Sequence, residues 1–312
     1  MSDWKNDALV LKQQGLSGRT IAKMLGKSKS TVNDYFLTVK NMFASGQHGD
    51  VIVQGVKSGP RILFIDIETS SLSLAGWRLF DQNFSLNQIE RDWFLLSFCA
   101  KWGDSDELFY MDKRNAVDMY DDKDILKTIW TLMNEAHYIV GQNSKRFDTK
   151  KINAKFIEHG FPPPSPYRQI DTLEQSKRSF AFTSHKLEYM TDLLCTKYKK
   201  STHGKFAGYE LWRQCLLGNI EAFEEIEEYN KLDVLSLQEL YEKLCVWDTK
   251  LPNFSVHNDE VEEQNVWVED GFVFSNSAKY QCYRNVQTGQ FRRGKTNLLS
   301  KEKRQSLLSN II

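Results

Sequence analysis

Two carboxylates, Asp66 and Glu68, stand two residues apart in the stretch RILFIDIET, at the end of an apolar run. In a strand, residues i and i+2 project to the same face, so the two acids are expected side by side. Like charges on a buried surface raise each other's pKa and cost stability, so packing alone does not select them. A divalent cation reverses the sign of that argument. Two further acids lie downstream in comparable settings. Asp148 closes GQNSKRFD, where a strand pattern gives way to a helix, with Asn143 and Phe147 ahead of it. Asp233 follows Tyr229 by four residues in YNKLD, so phenol and carboxylate share one helix face between apolar neighbours.

Those residues need elements to bring them together. Strand patterns are RILFIDIE, WFLLSFCAKW, ELFYM and YIVG. Helical patterns are DDKDILKTIWTLMNEA, FDTKKINAKFIEHG, LEYMTDLL, YELWRQCLL and a long AFEEIEEYNKLDVLSLQELYEKL. Three strands in series followed by alternating helices predict an α/β domain over residues 61–250, a mixed sheet with helices packed on it. Residues 1–45 read as helices. One covers about Asp7 to Gln14, the second is capped by Ser17, and the third is capped by Ser28 after Gly26. Residues 46–60 are rich in glycine and polar residues and read as a linker. Residues 251–312 carry two short strand patterns, VWVEDGFVF and KYQCYRNV, joined by Ser-Asn-Ser, and end basic.

Composition places limits on function. Hydrophobic residues at 41% and charged residues at 26% are ordinary for a soluble globular protein. No apolar run reaches the roughly 18 to 20 residues of a membrane span, and MSDWKNDALV has no secretory pattern, so no membrane partner is expected. Five scattered cysteines without a Cys-x-x-Cys pair read as reduced thiols of a cytoplasmic protein. The net charge is zero, but its distribution is uneven. Residues 12–29 hold five basic residues and no acid, residues 283–304 hold seven basic residues against Glu302, and residues 219–248 hold nine acids. The basic ends are the candidates for phosphate contacts.

FIDIET, Asn-x-x-x-Phe-Asp and Tyr-x-x-x-Asp, in that order, resemble the DnaQ-like (DEDD) 3′–5′ exonuclease superfamily in its tyrosine subclass. The stretches FDQNFSLNQI, PPPSPYRQIDTL and FAFTSHKLEYM resemble exonucleases of this kind encoded by bacteriophages, which would place the chain in the host cytoplasm. The resemblance covers about residues 61–250 and implies an RNase H-like mixed β-sheet flanked by helices. It implies that Asp66, Glu68, Asp148 and Asp233 hold two divalent cations, with Asp66 bridging them. Glu68 and Tyr229 would position the attacking water. Tyr229 is a poor base at its ordinary pKa of about 10, so the metal would acidify the water. Oxygen-only ligands imply Mg²⁺ or Mn²⁺ and no zinc. Asn143 would support the second motif by hydrogen bonding and Phe147 by packing. Asp171 is expected to be structural, and His137, His159, His185 and His203 have no metal spacing.

Both ends carry resemblances of their own. Ala22, Gly26 and Val32, with Ile21, Leu25 and Tyr35, resemble a small all-α helix-turn-helix domain. Lys27, Ser28, Lys29, Ser30, Thr31 and Asn33 would then open a recognition helix facing a groove or phosphates. A helical hairpin for protein contacts is the alternative. The sequence GFVFSNSAKYQCYRNVQTGQFRRG resembles a zinc-ribbon tail without its cysteines, since Asn285 and Thr288 replace the second pair and Cys282 stands alone. A metal-free hairpin there would offer Arg284, Arg292, Arg293 and Lys295 to nucleic acid. The expected activity is therefore metal-dependent 3′–5′ hydrolysis of nucleic acid, DNA before RNA. A ribonuclease, a structure-selective nuclease and a DNA-binding regulator with a scaffold domain stay open as alternatives. The loop 70–92, with Trp77, Phe80 and Phe84, would shape substrate entry. No motif speaks for a particular oligomeric state.

Overall fold

The computed structural model describes residues 4, 8, 18–33, 59–78, 80–198, 204–257 and 266–308. The chain divides into two compact units, Met1–Ser58 and Gly59–Ile312. In the first unit, α1 (Gly18–Met24) buries Ile21 and Ala22 against Ala8 and Val32. A turn follows in which Gly26 takes φ +62°, the left-handed region that favours glycine, and residues 29–33 resume the helix. Ser28 Oγ accepts the Thr31 amide at 3.0 Å, the cap expected of that serine. Most of the expected first helix, the end of the third and His203 lie outside the described residues.

The second unit is built on β1 (Ile62–Thr69), whose apolar run supports a buried strand. β2 (Ser73–Leu74) and β3 (Ile89–Arg91) pair with each other in a small hairpin. β4 (Leu95–Trp102) is buried along its whole length, and β5 (Leu108–Asp112) lies at the edge. After α2 (Lys123–Glu135) come β6 (Tyr138–Gly141), α3 (Asp148–Glu158) and β7 (Arg168–Asp171). The sheet order is β5–β4–β1–β6–β7. β4 runs antiparallel to β1 and β5, whereas β6 runs parallel to β1 and β7, so the sheet is mixed. In the β1–β4 ladder Asp66 lies opposite Cys99 and Glu68 opposite Ser97.

Alternation along β1 sends Leu63, Ile65 and Ile67 to one face, where they pack with Ile125, Leu126, Ile129 and Met133 of α2 and Ile152 and Phe156 of α3. Each such side chain contributes about 1.5–3 kcal/mol of gross hydrophobic stabilisation. The other face carries Phe64, Asp66 and Glu68. It is covered by α7 (Ile220–Leu244), which follows α4 (Thr172–Ser179), α5 (Leu187–Leu194) and α6 (Tyr209–Leu216). Asn219 caps α7 by accepting the Glu221 amide. The buried stripe of α7 runs Phe223, Ile226, Asn230, Asp233, Val234, Leu237, Tyr241, Leu244. Spacing of three and four holds from Phe223 through Asn230 and Val234 to Leu244, with Asp233 beside Val234, so two polar residues occupy its middle. Val234, Leu237 and Tyr241 meet Phe64, so Asn230 falls one turn earlier, at the level of Asp66.

The C-terminal part is a small antiparallel sheet of β8 (Trp267–Ser275), β9 (Ala278–Asn285) and β10 (Phe291–Arg293), in the order β10–β9–β8. A short helix, α8 (Lys301–Ser306), follows it. Among the described residues no helix is long and apolar enough to cross a membrane.

Candidate active site

The β1–β6 pairing ends at Phe64 and Val140, although β1 continues for five more residues to Thr69. On that side the backbone of β1 needs other partners, and the Ile67 amide donates to Asp148 Oδ1 at 3.3 Å. Asp148 is the first residue of α3, so the helix start is tied between the two acids of β1. From the opposite face of the sheet, Asn230 of α7 donates through Nδ2 to Asp66 Oδ2 at 2.6 Å. Its Oδ1 accepts from the Ser97 hydroxyl at 3.3 Å, a β4 residue beside Glu68 in the ladder. Asn230 is wholly buried and Asp233, one turn on, is 5% exposed. Trp212 of α6 donates through Nε1 to Glu68 Oε2 at 3.0 Å. The same indole meets the Tyr229 ring edge to face, with centroids 6.1 Å apart. Asp148 of α3 is thus tied to β1 between its two acids, Asp66 is met by Asn230 of α7, and Trp212 of α6 bridges Glu68 and Tyr229, with Asp233 one turn beyond Asn230 on α7.

The turn ahead of Asp148 has its own construction. Asn143 takes φ +59°, a conformation asparagine tolerates better than most residues. Its amide and that of Lys145 donate to Asp171, whose Oδ1 also caps α4 by accepting the Leu173 amide. Asp171 therefore closes a turn and a helix, the structural role expected of it. Asn143 supports the motif through its backbone amide. Phe147, expected to pack, is 41% exposed at the helix start, and its ring lies 5.2 Å from the Lys151 ammonium. A site end that is open to solvent leaves that ring no core to join. Gly141, at the end of β6, has Ser144 against its Cα: a Cβ built there would meet Ser144 Cβ at 2.5 Å and Ile65 O at 3.3 Å.

Electrostatics favour a cation here. Asp148 is 4% exposed and its carboxyl is pushed up to about 7. Burial is the main cause, its backbone hydrogen bonds oppose it, and the Asp171 charge adds to it. Among the described residues no three His, Cys, Asp or Glu side chains are drawn into a ready coordination shell. Asn230 bonds Asp66, Trp212 bonds Glu68 and the Ile67 amide bonds Asp148. Carboxylate oxygens are the ligand type of hard divalent cations, and a cation beside Asp148 would compensate the charge that burial penalises.

The remaining predicted residues lie elsewhere. Lys27, Ser28, Lys29, Ser30, Thr31 and Asn33 are exposed in the first unit. Arg284, Arg292 and Arg293 lie on the C-terminal sheet, with Lys295 exposed just after it. His159 donates through Nε2 to the buried Asp122 carboxylate at 2.8 Å, joining α3 to the start of α2. His137 accepts the Arg61 amide at 3.0 Å, and His185 bonds Ser176 at 2.9 Å. Trp77 and Phe80 in the loop between β2 and β3 are 94% and 79% exposed. Asn230 and Trp212 were not foreseen. Asn230 had a signal, since it is a polar residue in the apolar phase of a long helix.

No curated protein matches the chain. Among solved structures, the family B DNA polymerase from the hyperthermophilic archaeon Pyrobaculum calidifontis is similar, with 17% identity and a TM-score of 0.43. That match covers 62% of this chain and 25% of the polymerase chain, so this chain spans about a quarter of it. A family model described as RNase_H superfamily matches residues 63–245. Nucleases of this superfamily generally use divalent metal ions. The match begins inside β1 and ends just beyond α7, so it takes in the mixed sheet and every element that supplies the carboxylates. The chain belongs to the RNase_H superfamily.

Proposed function

We propose that this protein is a divalent-metal-dependent 3′–5′ exonuclease acting on DNA. What supports the reading is the placement of Asp66 and Glu68 on β1, of Asp148 at the Ile67 amide between them, and of Tyr229 and Asp233 on the helix whose Asn230 holds Asp66. Two of these carboxylates are buried in the company of like charges, an arrangement that costs stability without a ligand. The four acids would hold Mg²⁺ or Mn²⁺, as a pair of ions. Bound there, such ions acidify water and stabilise the leaving oxygen in phosphodiester hydrolysis. Asn230 holds the Asp66 carboxylate from behind, and Trp212 holds Glu68. Tyr229, braced on Trp212, orients water by its hydroxyl and does not act as the base. The exposed loop between β2 and β3, with Trp77 and Phe80, borders the path of a strand end.

In the first unit, Ile21, Ala22 and Val32 are buried and the turn glycine is left-handed, which supports a helix-turn-helix. Lys27, Ser28, Lys29, Ser30, Thr31 and Asn33 would meet DNA, and this is what favours DNA over RNA. The basic side chains Arg284, Arg292, Arg293 and Lys295 would add phosphate contacts. The test is digestion of 5′-labelled single-stranded DNA, duplex DNA and RNA with Mg²⁺ or Mn²⁺, beside Asp66→Ala. The expected outcome is a ladder shortening from the 3′ end on DNA, abolished by EDTA and by the substitution. Intact polymers with duplex DNA still bound would replace this reading with that of a DNA-binding regulator. Faster loss of RNA would reassign the substrate.

A further inference from the structure

A cavity of about 290 Å³ opens beside the edge strand β7, and none of Asp66, Glu68, Asp148, Tyr229 and Asp233 lines it. Its walls come from β7, from α4 and from residues 248–252 beyond α7. Asp248, 8% exposed, ties the last of these to α4. Its Oδ1 pairs with the Arg178 guanidinium at 2.5 Å, and its Oδ2 accepts from Gln175 Nε2 at 2.8 Å. Oδ1 also accepts the Lys250 amide at 2.9 Å, which fixes the chain where the Lys250 side chain leaves it.

Charge argues what this cavity receives. Four cations line it, Lys145, Arg168, Arg178 and Lys250, against three acids, Asp171, Glu174 and Asp248. Every one of those acids is engaged. Asp171 accepts three backbone amides, Glu174 pairs with Lys145, and Asp248 pairs with Arg178. Arg168 and Lys250 are exposed, and among the described residues neither side chain meets an acid. Gln175, 3% exposed, gives its amide nitrogen to Asp248, and no donor among the described residues reaches its buried Oε1. The lining can therefore take up negative charge and one further hydrogen-bond donor. A phosphate monoester brings both, since it carries about 1.5 to 2 negative charges near pH 7 and a P–OH when singly protonated. A phosphodiester carries one charge and no such hydroxyl. The volume is at the small end of ligand pockets of about 300–1,000 Å³, which suits a phosphate or a single nucleotide.

We propose that this cavity binds a phosphate monoester, either inorganic phosphate or a nucleoside monophosphate, with Arg168 and Lys250 seating the phosphate and the Gln175 carboxamide oxygen accepting a hydrogen bond from the ligand. The site goes beyond the nuclease reading and does not need it. Asp171 joins the two regions, because it lines the cavity and accepts the Asn143 and Lys145 amides of the turn ahead of Asp148. An exonuclease releases nucleoside monophosphates, so under that reading the cavity holds a product beside the turn that carries Asp148.

The experiment is calorimetric titration of the full chain in EDTA, at an ionic strength held constant with chloride. The probes are inorganic phosphate, dTMP, thymidine and oligo-dT without terminal phosphates. The variants are Arg168→Gln with Lys250→Gln, and separately Lys250→Arg. Saturable binding of inorganic phosphate or dTMP is expected, weakened about tenfold or more by the double variant and kept by Lys250→Arg. Tighter binding of dTMP than of inorganic phosphate names the nucleotide as the source, and equal binding names the free ion; both support the site. No saturable binding of either monoester overturns the proposal. So does equal affinity in the double variant, which would place the phosphate elsewhere, or thymidine binding as tightly as dTMP. Oligo-dT affinity lost by the double variant, while both monoesters fail to bind, assigns the two cations to phosphodiesters and overturns it too. Should the double variant melt early, Lys250→Gln alone carries the same readout. No metal or cleavage enters the titration, so an inactive protein that still binds phosphate would remove the nuclease reading and leave this one standing.

Discussion

Asn230 holds Asp66 and is itself held by Ser97, which makes it the hinge pin of the carboxylate cluster. Asn230→Ala leaves the half-buried Asp66 without that donor, at a cost of about 1–3 kcal/mol. It should also lower metal affinity or turnover by about 10- to 100-fold, as loss of an outer-shell partner does. Thermal melting and cleavage rate against Mg²⁺ concentration would check both effects. Asn230→Asp adds a fifth carboxylate and should lose more stability at pH 8 than at pH 5. Asp148 makes a separate pH prediction. Its folded value of about 7 lies above the ordinary carboxyl value of about 4. The folded protein therefore binds the extra proton between those limits, and the stabilisation is complete below about 4 and lost as pH rises through about 7. Melting in EDTA should fall from pH 5 to pH 8, and Asp148→Asn should flatten that slope. Cation binding displaces the proton, so the rise in melting temperature on adding Mg²⁺ should be larger at pH 8 than at pH 6.

At the scale of elements, the site depends on β6 stopping short and turning sharply. Gly141→Ala places a methyl within 2.5 Å of Ser144 Cβ and 3.3 Å of the Ile65 carbonyl, which the turn cannot yield without moving Asp148. A loss of about 1–3 kcal/mol is expected, measured by urea unfolding. Ser144→Gly in the same chain should recover most of it. Much of this layer was legible in the sequence. The strand patterns of β1, β4, β5 and β6 and the long helix α7 could be read from their runs, as could the acids toward the end of β1, at the start of α3 and midway along α7. The sheet order was not legible, because which strands become neighbours depends on long-range packing that no local pattern encodes. The exposed Phe147 escaped for a related reason: the pattern reports an apolar side chain, while burial depends on whether another element arrives to cover it. Trp212 could not be linked to Glu68 either, since 144 residues separate them.

For the molecule as a whole, the division after Ser58 predicts that the second unit is self-sufficient. A chain beginning at Gly59 should melt at the same temperature as the corresponding transition of the full protein, by calorimetry. If the first unit grips DNA, the shortened chain should digest short oligonucleotides at the full rate and lose affinity for duplex.

Cys99 lies opposite Asp66 in the β1–β4 ladder, wholly buried, with its thiol pushed up to about 12 by burial and then by the Asp66 charge. A thiol so rarely ionised is inert to alkylation while the sheet is closed. Iodoacetamide uptake at Cys99, read by peptide mass, therefore clocks how often the centre of the protein opens. Because an ion bound by the neighbouring acids favours only the closed form, millimolar Mg²⁺ should slow that clock.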